Sequence, residues 1–163
     1  MSKYTIGLLV RNRYGVLSRV SSMFSRRGFN IDSLTVGETA DSSISRMTIT
    51  LSGNSHDRDQ IIKQLAKLHE VIKVKDMSDG EVVSRELVII KVRADREARQ
   101  EILNAANVFR AKVVDYSPHS MMLEITGTGD KINALVEILK DYGLLEIART
   151  GIVAVERGGN DRD

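Results

Sequence analysis

Asn12 and Gly15 stand three residues apart in the stretch RNRYGVLSRV (11–20). Here the apolar run TIGLLV (5–10) gives way to a polar patch and then, almost without a linker, to an amphipathic segment. The chemistry this spacing suits is recognition rather than bond cleavage. A helix N-terminus leaves backbone N–H groups unsatisfied and carries a partial positive charge, so it attracts a carboxylate. A glycine there lets a ligand approach the backbone where a Cβ would obstruct it. An asparagine adds an acceptor and two donors at the same place. A free amino acid carries the matching carboxylate and ammonium. Asn and Gly are also ordinary loop residues, and the residues alone leave that alternative standing.

Other candidates for chemistry are weaker. His56, His69 and His119 fall on separate segments without metal-ligand spacing, and a solvated or lightly structural role suits each. No HExxH, Ser-His-Asp or paired-carboxylate pattern stands out. Gly127-Thr128-Gly129 precedes a helical pattern and hints at phosphate binding. Ile132, however, occupies the place of the third glycine of a dinucleotide fingerprint, and no Gly-Lys-Ser/Thr follows. A plain strand-to-helix turn is the better reading. Arg26-Arg27 is too small a cluster to indicate nucleic acid. No catalytic residue and no metal ligand is therefore assigned, and no cofactor is expected in this chain.

Composition supports that exclusion. The 163 residues suffice for one ordinary domain or two small ones, and 42% hydrophobic content allows a core. Aromatics make up only 4% with no Trp, which disfavours stacking platforms for single strands. The 24 basic and 22 acidic residues leave a net charge of +2, no footprint for a polyanion. With no cysteine, disulfides and thiolate sites are excluded, which fits a cytoplasmic setting. No stretch approaches the ~20 apolar residues of a membrane span. The opening MSKYTIGLLV reads as a first strand rather than a signal peptide.

The elements that would position Asn12 and Gly15 follow from periodicity. Val16, Leu17, Val20, Met23 and Phe24 recur at helical spacing, and Gly28 is placed to stop that helix. NIDSLTVGET and SISRMTITLSG alternate as strands about the turn ETADSS. Asn54 or Ser55 can cap a helix bearing Ile61, Ile62, Leu65 and Leu68, and VIKVKDM closes a β-α-β-β-α-β series. After the polar break 77–84, which contains Asp-Gly, the order recurs. RELVIIKVRA is a strand, and DREARQEILNAANVF a helix with Asp95 as N-cap. AKVVDYSP and SMMLEITG are strands, GDKINALVEILKDYG a helix stopped at Gly143, and LLEIARTGIVAVERG a last strand bulged at Gly151. The chain thus reads as α+β, two consecutive ferredoxin-like units over 1–76 and 85–158, with a linker at 77–84 and a frayed tail at 159–163. In each unit one sheet face is buried under two helices and the other is left to solvent or a partner.

Residues 8–49 closely resemble the start of the small, regulatory subunits of acetolactate synthase (acetohydroxyacid synthase). The shared features are N-x-x-G-V-L-x-R-V, then F-S-R-R-G-F-N-I-x-S-L-T-V, then S-R-M-T-I. The likeness continues through KQLAKLHEVIKV, FRAKVVD and ARTGIVAVERG, so it covers nearly the whole chain. It implies that the first half is an ACT domain, a ferredoxin-like module for small regulatory ligands. Two such domains would pair side by side as a homodimer with the effector, usually valine, at their interface. Carried over by position, Asn12, Gly15, Val16 and Leu17 would come from one subunit, and Asn30 and Ile31 from the other. The amides around Val16 and Leu17 would hold the carboxylate, and the two asparagines would bond polar groups. Catalysis would belong to a separate large subunit carrying thiamine diphosphate, magnesium and FAD. That enzyme condenses pyruvate with pyruvate or 2-oxobutyrate in valine, leucine and isoleucine biosynthesis. The small subunit would stimulate it and confer feedback inhibition. A stand-alone amino-acid-sensing ACT protein is the alternative. An RNA-binding split β-α-β module is disfavoured, because the middle strands of each half lack paired aromatics.

Overall fold

The computed structural model describes residues 2–158, and the expected frayed tail at 159–163 lies outside the described residues. The described chain forms two compact units, one made of 2–83 with 152–158, the other of 84–151.

In the first unit, β1 (Ser2–Arg11), α1 (Val16–Arg26), β2 (Ser33–Glu38), β3 (Ile44–Gly53), α2 (Ser55–Leu65) and β4 (Val71–Asp76) follow in order. The antiparallel sheet runs β2-β3-β1-β4. Its register sets Ile6 opposite Ile49 and Leu8 opposite Met47. Because side chains alternate across a strand, these four share the face that packs with Val20, Phe24, Ile61 and Leu65 of the two helices. Leu17 departs from the expected stripe: it is 44% exposed, while Val16, Val20, Met23 and Phe24 are buried. Gly28 stops α1 as its sequence suggests, at φ +71, with its amide donating to Ser25 O. Asn54 caps α2 reciprocally. Its Oδ1 accepts from the Asp57 amide at 2.9 Å, and Asp57 Oδ2 accepts from the Asn54 amide at 3.2 Å.

The second unit repeats the order with β5 (Val82–Arg93), α3 (Arg99–Phe109), β6 (Lys112–Tyr116), β7 (Ser120–Gly127), α4 (Gly129–Lys140) and β8 (Leu144–Arg149). Its strands run β6-β7-β5-β8, the same order as in the first unit. Val88, Ile90, Val92, Ile102, Ala106, Leu123, Leu135 and Leu139 lie in its core. Asp95 does not cap α3 directly. Its carbonyl accepts from the Ala98 and Arg99 amides in a turn that precedes the helix. The helix ends on Arg110 at φ +56, a left-handed position filled without glycine.

The last strand expected from sequence is two strands. Gly151 takes φ +87 between β8 and β9 (Val153–Glu156), and the chain from 152 onward packs with the first unit. There Arg46 Nη2 donates to Ala154 O at 2.8 Å and Thr35 Oγ1 donates to Ile152 O at 2.9 Å. Lys75 pairs with Glu156. On the same side Met77 sits over Gly7, where an added Cβ would stand 2.6 Å from its Sδ. Thr48 and Thr50, polar residues opposite the helix-covered face, are only 2% exposed, Thr48 facing Val153 and Val155 and Thr50 bonded to the Ser33 hydroxyl. The outer face of this sheet is thus partly covered by the chain itself, through Met77 and the 152–156 segment.

Candidate functional site

Where β1 ends, the antiparallel register brings it beside the β2–β3 turn: Arg11 lies opposite Ile44, and Glu38 of β2 lies opposite Ser45. Asn12 continues this pairing beyond the strand, its amide donating to Ser43 O at 2.7 Å. Its side-chain Nδ2 donates to Ser42 O at 2.8 Å and to Glu38 Oε1 at 3.1 Å. Both neighbours are acceptors, so the amide nitrogen must face them and Oδ1 must turn away. Asn12 therefore uses its donors within the fold and offers an acceptor, the group an ammonium seeks.

The turn that presents these carbonyls is held by Asp41, whose Oδ1 accepts from the Ser43 amide at 2.9 Å and the Ser43 hydroxyl at 2.7 Å. The Ser43 hydroxyl first, and its amide second, hold the Asp41 carboxyl below the usual aspartate value.

Gly15 is the N-cap of α1 at φ +79, and no side chain caps this helix. A Cβ there would meet nothing within 4 Å. The glycine is thus favoured by the left-handed backbone rather than by crowding, and the space beside it is open. The Val16 amide reaches only Arg13 O, at 3.5 Å, too long for a well-formed bond. Val16 itself is buried, so its side chain belongs to the core while its amide stays at the exposed corner. Leu17 projects outward beside it. No acidic side chain occupies the first turn of α1, which leaves the dipole's positive end for an external anion.

Asn30 and Ile31 lie after α1 rather than before it. Asn30 is exposed, with Nδ2 3.5 Å from Asp32 Oδ1, and Ile31 packs partly against the core. An 11-residue helix separates them from Gly15. At 1.5 Å per residue that is about 16 Å. Within one chain the structure brings Asn12, Gly15, Val16 and Leu17 together and leaves Asn30 and Ile31 at the far end of the helix. Glu38 and Ser42 were not singled out in the sequence. The hairpin register was the only signal that could have placed them beside Asn12.

The remaining candidates stay apart. His56, His69 and His119 are all exposed, and among the described residues only His119 comes within 4 Å of a carboxylate oxygen, with Nδ1 3.6 Å from Asp95 Oδ1. No group of three or more His, Cys, Asp or Glu able to hold a metal occurs among the described residues. Gly127, Thr128 and Gly129 form the turn between β7 and α4. No described helix is long and apolar enough to cross a membrane.

A four-stranded antiparallel sheet under two helices in β-α-β-β-α-β order is the ferredoxin-like arrangement, and here it is that of an ACT module. The model of the AHAS small subunit-like ACT domain matches residues 6–73, and that of the small subunit of acetolactate synthase matches residues 85–158. The acetolactate synthase small subunit of Mycolicibacterium smegmatis is 52% identical over 155 residues, 95% of this chain and 91% of the relative. A probable acetolactate synthase small subunit of Archaeoglobus fulgidus is 49% identical over 156 residues, 96% and 98% of the two chains. The crystal structure of the acetolactate synthase small subunit from Thermotoga maritima superposes with a TM-score of 0.87 at 41% identity, covering 98% of this chain and 99% of that one. The chain belongs to the acetolactate synthase small-subunit family.

Proposed function

We propose that this chain is the non-catalytic regulatory subunit of a cytoplasmic acetolactate synthase, which stimulates a large catalytic subunit and binds valine for feedback inhibition. The observation that carries the effector assignment is the corner at Asn12 and Gly15. An outward-facing amide oxygen there adjoins an uncapped helix N-terminus in open space. Valine supplies the complementary groups. Its carboxylate meets the amides of Val16 and Leu17, its ammonium meets Asn12 Oδ1, and its isopropyl group lies against Leu17.

The site is completed by a second copy. Asn30 and Ile31 stand about 16 Å away along α1, so a ligand as small as valine touches both sets only where two chains meet. Edge strand β2, which pairs with β3 alone, begins just after Ile31 and offers the unpaired backbone for such a side-by-side dimer. Thiamine diphosphate, magnesium and FAD belong to the large subunit, and this chain acts on that chemistry only through assembly. For inhibition, valine must favour the less active arrangement, typically by ~1–3 kcal/mol.

Reconstitution tests the reading. The purified chain alone should form no acetolactate from pyruvate, should raise the large subunit's rate when added, and should make that rate valine-sensitive. A mass measurement should find at least a dimer. Failure to bind or stimulate the large subunit would refute the proposal.

A further inference from the structure

Charge in the first unit is distributed unevenly. From residue 1 to 31 the chain has Lys3, Arg11, Arg13, Arg19, Arg26 and Arg27 and no acidic residue, although the whole protein carries only +2. Arg19 is neutralised by Glu70. Arg26 and Arg27, at the end of α1, meet Lys67 just beyond the end of α2 across an open groove of about 470 Å³. Gln64 also lines it, and Met23 and Leu68 give it an apolar floor. Lys63 lies one turn before Lys67. All four cations are exposed, and none has an acidic partner within 4 Å among the described residues. Arg26 Nε reaches only the Ser22 carbonyl, at 3.4 Å.

A helix C-terminus favours a nearby cation, which accounts for one such residue on each helix. It does not account for three lining one groove with a fourth, Lys63, a turn away, where like charges repel. Three further surfaces of this unit already have uses. The β1–α1 corner is the candidate effector site, β2 is an edge for pairing, and the outer sheet face is partly covered by Met77 and Ala154. The outer side of the helix pair is left.

We infer that this α1–α2 groove is a docking surface for an acidic peptide segment of the large subunit, whose carboxylates pair with Arg26, Arg27 and Lys67 while an apolar side chain rests on Met23 and Leu68. The inference rests on the regulatory-subunit reading above. A polyanion such as nucleic acid fits less well, since a groove with an apolar floor and so few cations gives no track for a phosphate backbone.

The test titrates the large subunit with small subunit and reads the concentration for half-maximal stimulation. The variant Arg26→Glu/Arg27→Glu/Lys67→Glu should raise that concentration about tenfold or more, because rim charges govern association. Arg26→Lys/Arg27→Lys should stay near wild type, as charge rather than geometry is at stake. Raising KCl should weaken the wild type and leave the reversed variant little changed. Secondary structure and melting temperature of the isolated variant should match wild type, since all three side chains are exposed. Unchanged half-saturation in the reversed variant, or a salt-independent wild type, would overturn the inference. If the variant misfolds, the salt series on the wild type still decides. If wild-type chain neither binds nor stimulates the large subunit, the functional reading fails and this inference with it.

Discussion

Asn12 Nδ2 stands 3.1 Å from Glu38 Oε1, a bond between residues 26 apart that ties the end of β1 to the end of edge strand β2. Together with the bond to Ser42 O, it fixes which way the Asn12 amide faces. Glu38 is therefore a positioning residue for Asn12. With valine bound as proposed, Asn12→Ala would remove a hydrogen bond to a charged ligand group, a loss of ~1.5–3 kcal/mol. At ~1.4 kcal/mol per decade, valine affinity should fall roughly ten- to hundredfold. Glu38→Ala leaves Oδ1 and the Ser42 bond in place and should cost less, about 0.5–1.5 kcal/mol. Calorimetric valine titration of both variants checks the order. A larger loss for Glu38→Ala would mean that its carboxylate touches the ligand itself.

Gly15 sits at φ +79 with open space where a Cβ would go, so the stability cost of a side chain there is conformational rather than steric. Gly15→Ala should destabilise by ~1–2 kcal/mol, the penalty of the left-handed region, and Gly15→Asn by less. Equilibrium unfolding in urea measures both, and equal losses would contradict the conformational account.

How much of this was legible depended on whether a signal was local. The stripes of α1, α2 and α4 and the stops at Gly28 and Gly143 follow from helical spacing and from glycine at φ +71 and +98. Asn12 and Gly15 were visible as a loop with the right groups. Which face Asn12 offers was not, because Glu38 and Ser42 reach it only through strand register. The late start of α3 was hidden, since Asp95 looks like a cap but anchors a preceding turn through its carbonyl. Arg110 at φ +56 had no glycine to announce it. The return of 152–156 to the first unit is a long-range event, read in sequence only as a bulge at Gly151. Leu17 fits the apolar stripe by spacing and is nevertheless exposed beside the corner.

That return makes a prediction about the C-terminal strand. Arg46 holds it by donating to Ala154 O, while its own Nε is buried without a partner. Arg46→Met removes a charge-assisted bond worth ~1.5–3 kcal/mol and also the orphaned Nε, so the net loss should be smaller. Amide exchange at Val153–Glu156 should quicken in the variant. A fragment ending near residue 80 lacks the strand altogether, exposes Thr48, and should melt below the full chain. Equal melting temperatures would contradict the covering role.

Acid should loosen the β2–β3 turn. The Asp41 carboxyl is held below its ordinary value by Ser43, so its contribution is present above the unfolded aspartate value. It is lost as pH falls through the lowered folded value. NMR titration of the Ser43 amide should show its bond persisting to a pH below the usual aspartate value. Asp41→Asn should abolish that transition; an unchanged Ser43 titration in this variant would contradict it.

The most direct test of the account is the valine inhibition curve of holoenzyme reconstituted with Gly15→Asp. Asp tolerates the left-handed backbone better than most residues, so the chain should still fold, assemble and stimulate. Its carboxylate would occupy the open space beside the helix N-terminus and repel the effector's own. The account predicts full stimulation with valine sensitivity reduced at least as far as in Asn12→Ala. Normal assembly with wild-type valine sensitivity would contradict it.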